Sequence, residues 1–75
     1  MTKEQIECLR SEAAKSGMRT DRQIAESIGM DKATFSTKIN GKRVFSLAEI
    51  EALRRSLSLS DKKVVFLFFE SSQQK

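Results

Sequence analysis

The chain lacks proline, tryptophan, tyrosine and histidine, and it has one cysteine among its 75 residues. Without proline no segment is interrupted, and because strong helix formers dominate, the sequence predicts a mostly helical protein. The absence of histidine and of a glycine-rich phosphate loop removes common catalytic groups, and a single cysteine cannot complete a zinc site. We therefore expect no enzyme, no metal site, no cofactor and no small-molecule ligand.

Long apolar stretches and targeting segments are also missing. The longest apolar run, residues 64–69, has six residues, far fewer than the roughly 20 that span a membrane. The N-terminal MTKEQIECLR lacks the apolar core of a signal peptide. Cys8 cannot form an internal disulfide, and no histidine activates it. It is interpreted as a small buried residue of a reduced, cytosolic protein.

The length allows one domain, which we place at residues 1–70, followed by a polar tail at 71–75 that we expect to be disordered. The formal net charge is +4 and the isoelectric point is near 9.6. That balance is compatible with a polyanionic partner, but many small proteins are this basic. The distribution of charge therefore carries more information than the total.

Helix start and stop signals divide the chain into five segments. Three glycines suit the residue just past a helix end, and capping residues precede each helix, the clearest being the capping box of Ser46 and Glu49. The predicted helices cover about residues 3–16, 21–28, 32–40 and 47–57. The first three are expected to end at Gly17, Gly29 and Gly41.

In the fourth helix, Leu47, Ile50, Leu53 and Leu57 repeat at helical spacing. The last segment begins at Ser60 or Asp61 and contains the six apolar residues 64–69. Helix and strand both remain open over residues 62–70, and the plausible first turn at 60–63 favours a helix. One helix face cannot bury all six residues, so we expect an interface with a second subunit. The candidate dimer residues are Val65, Phe66, Phe68 and Phe69.

Residues 20–40 have the pattern of a helix-turn-helix. Ala25 is small enough for two helices to cross, and Gly29, four residues later, tolerates the positive φ that the turn favours. Met30 after the turn and Phe35 in the next helix would fix the angle between the helices.

The segments TDRQIAESIGMDKATFSTKINGKR and FSLAEIEALRRSLSL resemble the phage repressor and Cro-like group of helix-turn-helix proteins. The resemblance covers about residues 20–59 well and the flanking helices loosely. It implies an all-α fold, the five-helix lambda repressor-like DNA-binding domain. It also implies that the third helix lies in the major groove of operator DNA, usually in a homodimer.

The resemblance also implies roles for individual residues. Positions that face base edges in the family correspond to Lys32, Ala33 and Thr37, with Ser36 beside them. Positions that hold phosphates correspond to Thr20, Asn40, Lys42 and Arg43. Two departures change the assignment. An acid at Asp21, where the family often has glutamine, moves the phosphate role to Arg22 or Arg19. Lys38 replaces an apolar residue, and we include it among the phosphate contacts.

The charge pattern supports this interpretation independently. From Met30 to Arg43 the chain has four basic residues and one acid, Asp31. Basic side chains neutralise phosphates and release counterions. The competing interpretation is an ordinary solvated helix face and loop, and we prefer it only for Arg54 and Arg55.

We expect a sequence-specific transcriptional regulator of phage or prophage type that represses by occupying an operator as a dimer. Because the sequence shows no second domain, we expect a Cro-type regulator in the cytoplasm of a bacterial or phage-infected host, and an isolated N-terminal domain of a full-length repressor is the alternative. A transcriptional activator of the same fold would look identical in sequence. Another class remains possible: a protein-interaction module, such as an antitoxin or an anti-repressor partner, that uses the C-terminal apolar segment.

Overall fold

The computed structural model describes residues 1–69, and these residues contain helices and no strand. The helices are α1 (Lys3–Lys15), α2 (Asp21–Ser27), α3 (Lys32–Ile39), α4 (Leu47–Leu57) and α5 (Asp61–Val64). Helix α5 continues directly into a π-helical turn, Val65–Phe69. The all-α prediction is confirmed, as is the preference for a helix over a strand in the last segment. The predicted tail lies outside the described residues.

Short-range hydrogen bonds explain where the helices begin. Three capping boxes form, including the one predicted at Ser46. In each, a hydroxyl accepts a hydrogen bond from the amide three residues on, and that residue's side chain accepts one from the amide of the capping residue. The pairs are Thr2 with Gln5, Thr20 with Gln23, and Ser46 with Glu49. Asp31 caps α3 by accepting from the amide of Thr34 at 3.1 Å.

The helix ends depend on residues in the left-handed region. Helices α1, α2 and α3 each reach their predicted glycine, and Gly29, for example, has a φ of 72°. The end of α4 has the same geometry without a glycine. Ser58 adopts a φ of 53°, and the amide of Leu59 donates to the carbonyl of Arg54 at 3.0 Å. Ser58 is therefore the one non-glycine residue at positive φ in the described chain.

All the helices contribute to one core. Its most buried large side chains are Phe35, Leu9, Ile24, Leu53 and Leu67. Phe45, on the link between α3 and α4, packs its ring edge-on against Phe35 and Phe68, with centroid distances of 6.1 and 5.5 Å.

Leu47 shares its helical spacing with Leu53 and Leu57 but does not enter the core, and its side chain is 76% exposed. It lies in the first turn of α4, ahead of the point where Leu53 and Leu57 enter the core. Ile50 is half-buried. Among residues 1–69 no helix is long and apolar enough to cross a membrane.

A long-range hydrogen bond attaches the π-helical turn to α1. Gln5 is the only buried polar residue of the described chain. Its side-chain amide nitrogen donates to the carbonyl of Phe66 at 2.6 Å, while its oxygen accepts from the amide of Thr2 at 2.7 Å. A π-helical turn shifts carbonyls out of the usual pairing, and a buried carbonyl needs a donor. Gln5 supplies that donor to Phe66.

Candidate nucleic-acid interface

Helices α2 and α3 pack against each other around a fully buried alanine. Ala25 has no exposed surface, so the two helices approach closely at this residue. The amide of Met30 donates to the carbonyl of Ala25 at 2.9 Å, which closes the turn at Gly29. Phe35 is also fully buried and fixes the inner face of α3. The outer face of α3 is thereby set at a defined angle to α2.

The outer side of α3 carries small and polar side chains. Phe35 and Ile39 point inwards, whereas Lys32 and Ala33 are exposed and Ser36 and Thr37 are partly exposed. At 100° per residue, Ala33, Ser36 and Thr37 share one face and Lys32 lies at its edge. All four residues predicted to contact bases are therefore accessible, and they lie on neighbouring parts of the helix surface.

The hydroxyl of Thr37 already donates its one proton within α3. Its oxygen donates to the carbonyl of Ala33 at 3.0 Å. A hydroxyl has one proton and two acceptor lone pairs, so Thr37 can still accept a hydrogen bond and can present its methyl group. It would therefore contact an amino group or a thymine methyl at a base edge rather than a base acceptor.

The loop after α3 presents two basic side chains. The amide of Lys42 donates to the carbonyl of Thr37 at 3.1 Å, and the amide of Gly41 donates to the carbonyl of Lys38 at 3.1 Å. Lys42, Arg43 and Asn40 are exposed. Neither Lys42 nor Arg43 forms an ion pair with any side chain in residues 1–69. Their charges are available to an external anion.

Lys38 does not share this arrangement, and its predicted phosphate contact stays a prediction that its ion pair with Glu49 argues against. Its ammonium lies 2.6 Å from both carboxylate oxygens of Glu49, and its side chain is only 10% exposed. The hydrogen bond from Lys38, with help from the amide of Ser46, holds the pKa of Glu49 below its usual range. A cation turned towards a carboxylate on α4 is not free to hold a phosphate, so we omit Lys38 from the candidate interface.

The other ion pairs of the described chain involve cations that lie away from α3 and its loop. Acidic partners lie within 4 Å of Arg10, Lys15, Arg54, Arg55 and Lys63. Lys32, Lys42 and Arg43 have no such partner among residues 1–69, so the face of α3 and its loop carries unneutralised positive charge. The other described cations outside these pairs are Lys3, Arg19, Arg22 and Lys62. The predicted solvated positions Arg54 and Arg55 both pair with Glu51 on the same helix.

Two further cations, Arg19 and Arg22, lie at the start of α2, and both are exposed. Arg22 is exposed and unpaired within the described residues, whereas Thr20 uses its hydroxyl to accept from the amide of Gln23 at 3.1 Å. Asp21 is bound by Arg10 through two hydrogen bonds, of 3.1 and 2.8 Å. This pair offsets the negative charge that Asp21 would otherwise present to a phosphate, and it raises the pKa of Arg10.

A shallow groove between α2 and α3 contains Glu26, an acidic residue that the sequence analysis did not assign to the interface. The groove is lined by Arg22, Glu26, Asp31, Lys32 and Ala33. Asp31 is engaged by Thr34, whose hydroxyl and amide lower the pKa of its carboxyl. Glu26 is exposed and lies one helical turn after Arg22. That four-residue spacing was the available indication that the two side chains lie on the same face.

The C-terminal apolar surface is smaller than predicted. Phe69 is 57% exposed and Val65 is 44% exposed, but Phe66 and Phe68 are half-buried and pack against the core. Of the four candidate dimer residues, Val65 and Phe69 therefore offer most of the free surface. Two apolar side chains that we did not assign to an interface are more exposed. These are Val44, at 86%, and Leu47.

No protein-family model, curated protein or solved structure matches the chain.

Proposed function

We propose that this protein is a sequence-specific, double-stranded DNA-binding regulator of transcription with a lambda repressor-like helix-turn-helix. In this proposal α2 and α3 form the motif, and α3 enters the major groove. The observation that carries the proposal is the set of unpaired cations, Lys32, Lys42 and Arg43, on α3 and the loop that follows it. They flank a helix face of small and polar side chains.

The dimensions of α3 suit the major groove. An α-helix with its side chains is about 10–12 Å across, which is close to the width of the groove, and α3 offers eight residues to lie in it. Ala33, Ser36 and Thr37 are small, so the helix backbone can approach the base edges. Lys32 can donate to guanine, and Thr37 can accept from an amino group or touch a thymine methyl.

Cations around α3 would fix the protein on the DNA backbone. Lys42 and Arg43 follow α3, and Arg22 lies in the first turn of α2, so phosphates would be held on both sides of the inserted helix. Three phosphates per protomer make six in a dimer. At about 0.9 per phosphate, the logarithm of affinity should fall against the logarithm of salt with a slope of roughly −5.

Repression by occlusion is the mechanism we propose, with the phage and prophage Cro-type regulators as the model. A dimer that occupies two half-sites covers the DNA that RNA polymerase needs. Val65 and Phe69 are the proposed contacts between protomers, because their apolar surface remains outside the core. Phe69→Glu should convert the dimer to a folded monomer in analytical ultracentrifugation. A variant that remains dimeric would move the interface elsewhere.

The experiment that tests the proposed function is a selection from a random pool of duplex DNA. The enriched site is then titrated at several salt concentrations. A short palindrome or paired half-sites, bound far more tightly than random DNA, is the expected result. If no sequence is enriched, the proposal fails, and a search for a protein that contacts Val65 and Phe69 becomes the next step.

Lys42→Ala gives a sharper test of the loop. Loss of one phosphate contact per protomer should weaken binding to every sequence and make the salt slope shallower by about 1 per protomer. Lys15→Ala is the matched control, because Lys15 pairs with Glu12 on α1 at 3.2 Å. An unchanged slope for Lys42→Ala would mean that this loop is simply solvated.

A further inference from the structure

We propose that Lys38 and Glu49 are positioning residues, and that their ion pair holds the basic loop between α3 and α4 in the conformation that meets the DNA backbone. The inference rests on the proposed function for its effect on DNA. Its structural part, the ordering of the loop by the pair, can be tested on the free protein.

The pair closes the loop at both ends. At the start, the carbonyl of Lys38 accepts from the amide of Gly41 at 3.1 Å. At the far end, one oxygen of Glu49 accepts from the amide of Ser46 at 2.8 Å, while the hydroxyl of Ser46 accepts from the amide of Glu49 at 3.1 Å. The Lys38 ammonium then joins the two ends at 2.6 Å. Residues 40–46 therefore form a loop whose two ends are joined by the Lys38–Glu49 ion pair.

The interior of the loop has one further anchor. Phe45 packs between the rings of Phe35 and Phe68. Between this anchor and the end of α3, Lys42 and Arg43 extend into solvent. With the loop held in place before binding, the protein pays less conformational entropy when these side chains meet phosphates.

The arrangement also gives a role to the lysine at a position where the helix-turn-helix proteins that this sequence resembles often have an apolar residue. The Lys38 stem lies against the protein, and its charge is satisfied by Glu49. The charges of the pair cancel, so it adds little net attraction for DNA. Its contribution is geometric, and this separates it from Lys42, whose contribution is electrostatic.

Variants of the pair distinguish these roles. Lys38→Met keeps a long apolar stem and removes the charge, and Glu49→Gln keeps a capping side chain for Ser46. We expect each to weaken binding to the selected operator about tenfold, the cost of ordering one or two loop side chains. The salt slope should stay at the wild-type value. The double variant should bind no worse than either single variant, because the two residues act as one unit.

Glu49→Gln is the decisive variant, because the two possible roles of Lys38 predict opposite changes in DNA affinity. If Lys38 were a phosphate contact, removing the acid would release its ammonium, and the variant would bind DNA more tightly with a steeper slope. Lys38→Met would then make the slope shallower by about 1 per protomer. Either result overturns the inference. Circular dichroism spectra and melting curves of each variant establish that the variants compared are folded.

Amide hydrogen exchange in the free protein tests the loop without DNA. The Lys42 amide, which donates to Thr37, should exchange severalfold faster in Lys38→Met and Glu49→Gln than in the wild type. Lys15→Met, which breaks a pair on α1, is the control and should leave this exchange unchanged. Unchanged exchange in both pair variants overturns the inference. If the wild type selects no operator, the proposed function fails, while the exchange measurement still decides whether the pair orders the loop.

Discussion

The end of α4 predicts a single substitution that should stabilise the protein. Ser58 has a φ of 53° at the position where α1, α2 and α3 each place a glycine. An L-residue in this region costs about 1–2 kcal/mol relative to the right-handed one, and glycine avoids that cost. Ser58 is exposed, and its hydroxyl makes no hydrogen bond with other described residues, so Ser58→Gly removes no contact.

The magnitude follows from two opposing terms. Relief of backbone strain gains about 1–2 kcal/mol, and the added freedom of glycine in the unfolded chain costs about 0.4–1 kcal/mol. The free energy of unfolding should therefore rise by about 1 kcal/mol. For a domain of 75 residues, that raises the melting temperature by about 4–8 °C.

Thermal unfolding followed by circular dichroism measures the effect, with Ser16→Gly as the matched control. Ser16 ends α1 with a φ of −95°, which serine adopts without strain. Glycine there should lower the melting temperature, because only the entropic cost remains. If Ser58→Gly also lowers it, or if both variants shift by the same amount, the backbone of Ser58 is not strained and the reasoning is refuted.

Two further predictions concern Thr37 on α3 and the ion pair between Lys38 and Glu49. Thr37→Ala should relax preference at one base pair by about 1–3 kcal/mol, measured by titrating operators changed at single positions. Equal loss on every sequence would contradict this role, and Thr37→Val, which keeps a methyl group but no acceptor, separates the two possible contacts. The ion pair with Lys38 lowers the pKa of Glu49 from its ordinary value of 4.5. The ionised carboxylate therefore stabilises the folded state at pH values above 4.5. This contribution to the free energy of unfolding is lost as the pH falls through the lowered pKa. Urea unfolding should therefore show Glu49→Gln less stable than the wild type at neutral pH, with the difference vanishing in acid, and a pH-independent difference would exclude the linkage.

The sequence predicted the helix boundaries well because capping depends on residues three or four apart. Thr20 and Gln23 identify the start of α2 whatever else the chain does, and Gly29 identifies its end. The face of α3 was also predictable, because Phe35 and Ile39 leave one side of the helix for small and polar residues.

Features that depend on distant partners were not predictable in this way. Lys38 looks like a free cation until Glu49, eleven residues away, is placed beside it. Helical spacing put Leu47 on the apolar face of α4 but could not reveal that no neighbouring element covers that turn. The left-handed conformation of Ser58 had no glycine to indicate it.

The hydrogen bond from Gln5 to Phe66 joins residues 61 positions apart, and this has a consequence for how the chain is made. While the protein is being synthesised, α1 is translated well before Phe66. Until then the side chain of Gln5 has no Phe66 carbonyl to bind, and the core that contains Leu9 lacks Leu67. The hydrogen bond that attaches the π-helical turn to α1 can therefore form only when almost the whole chain has been translated.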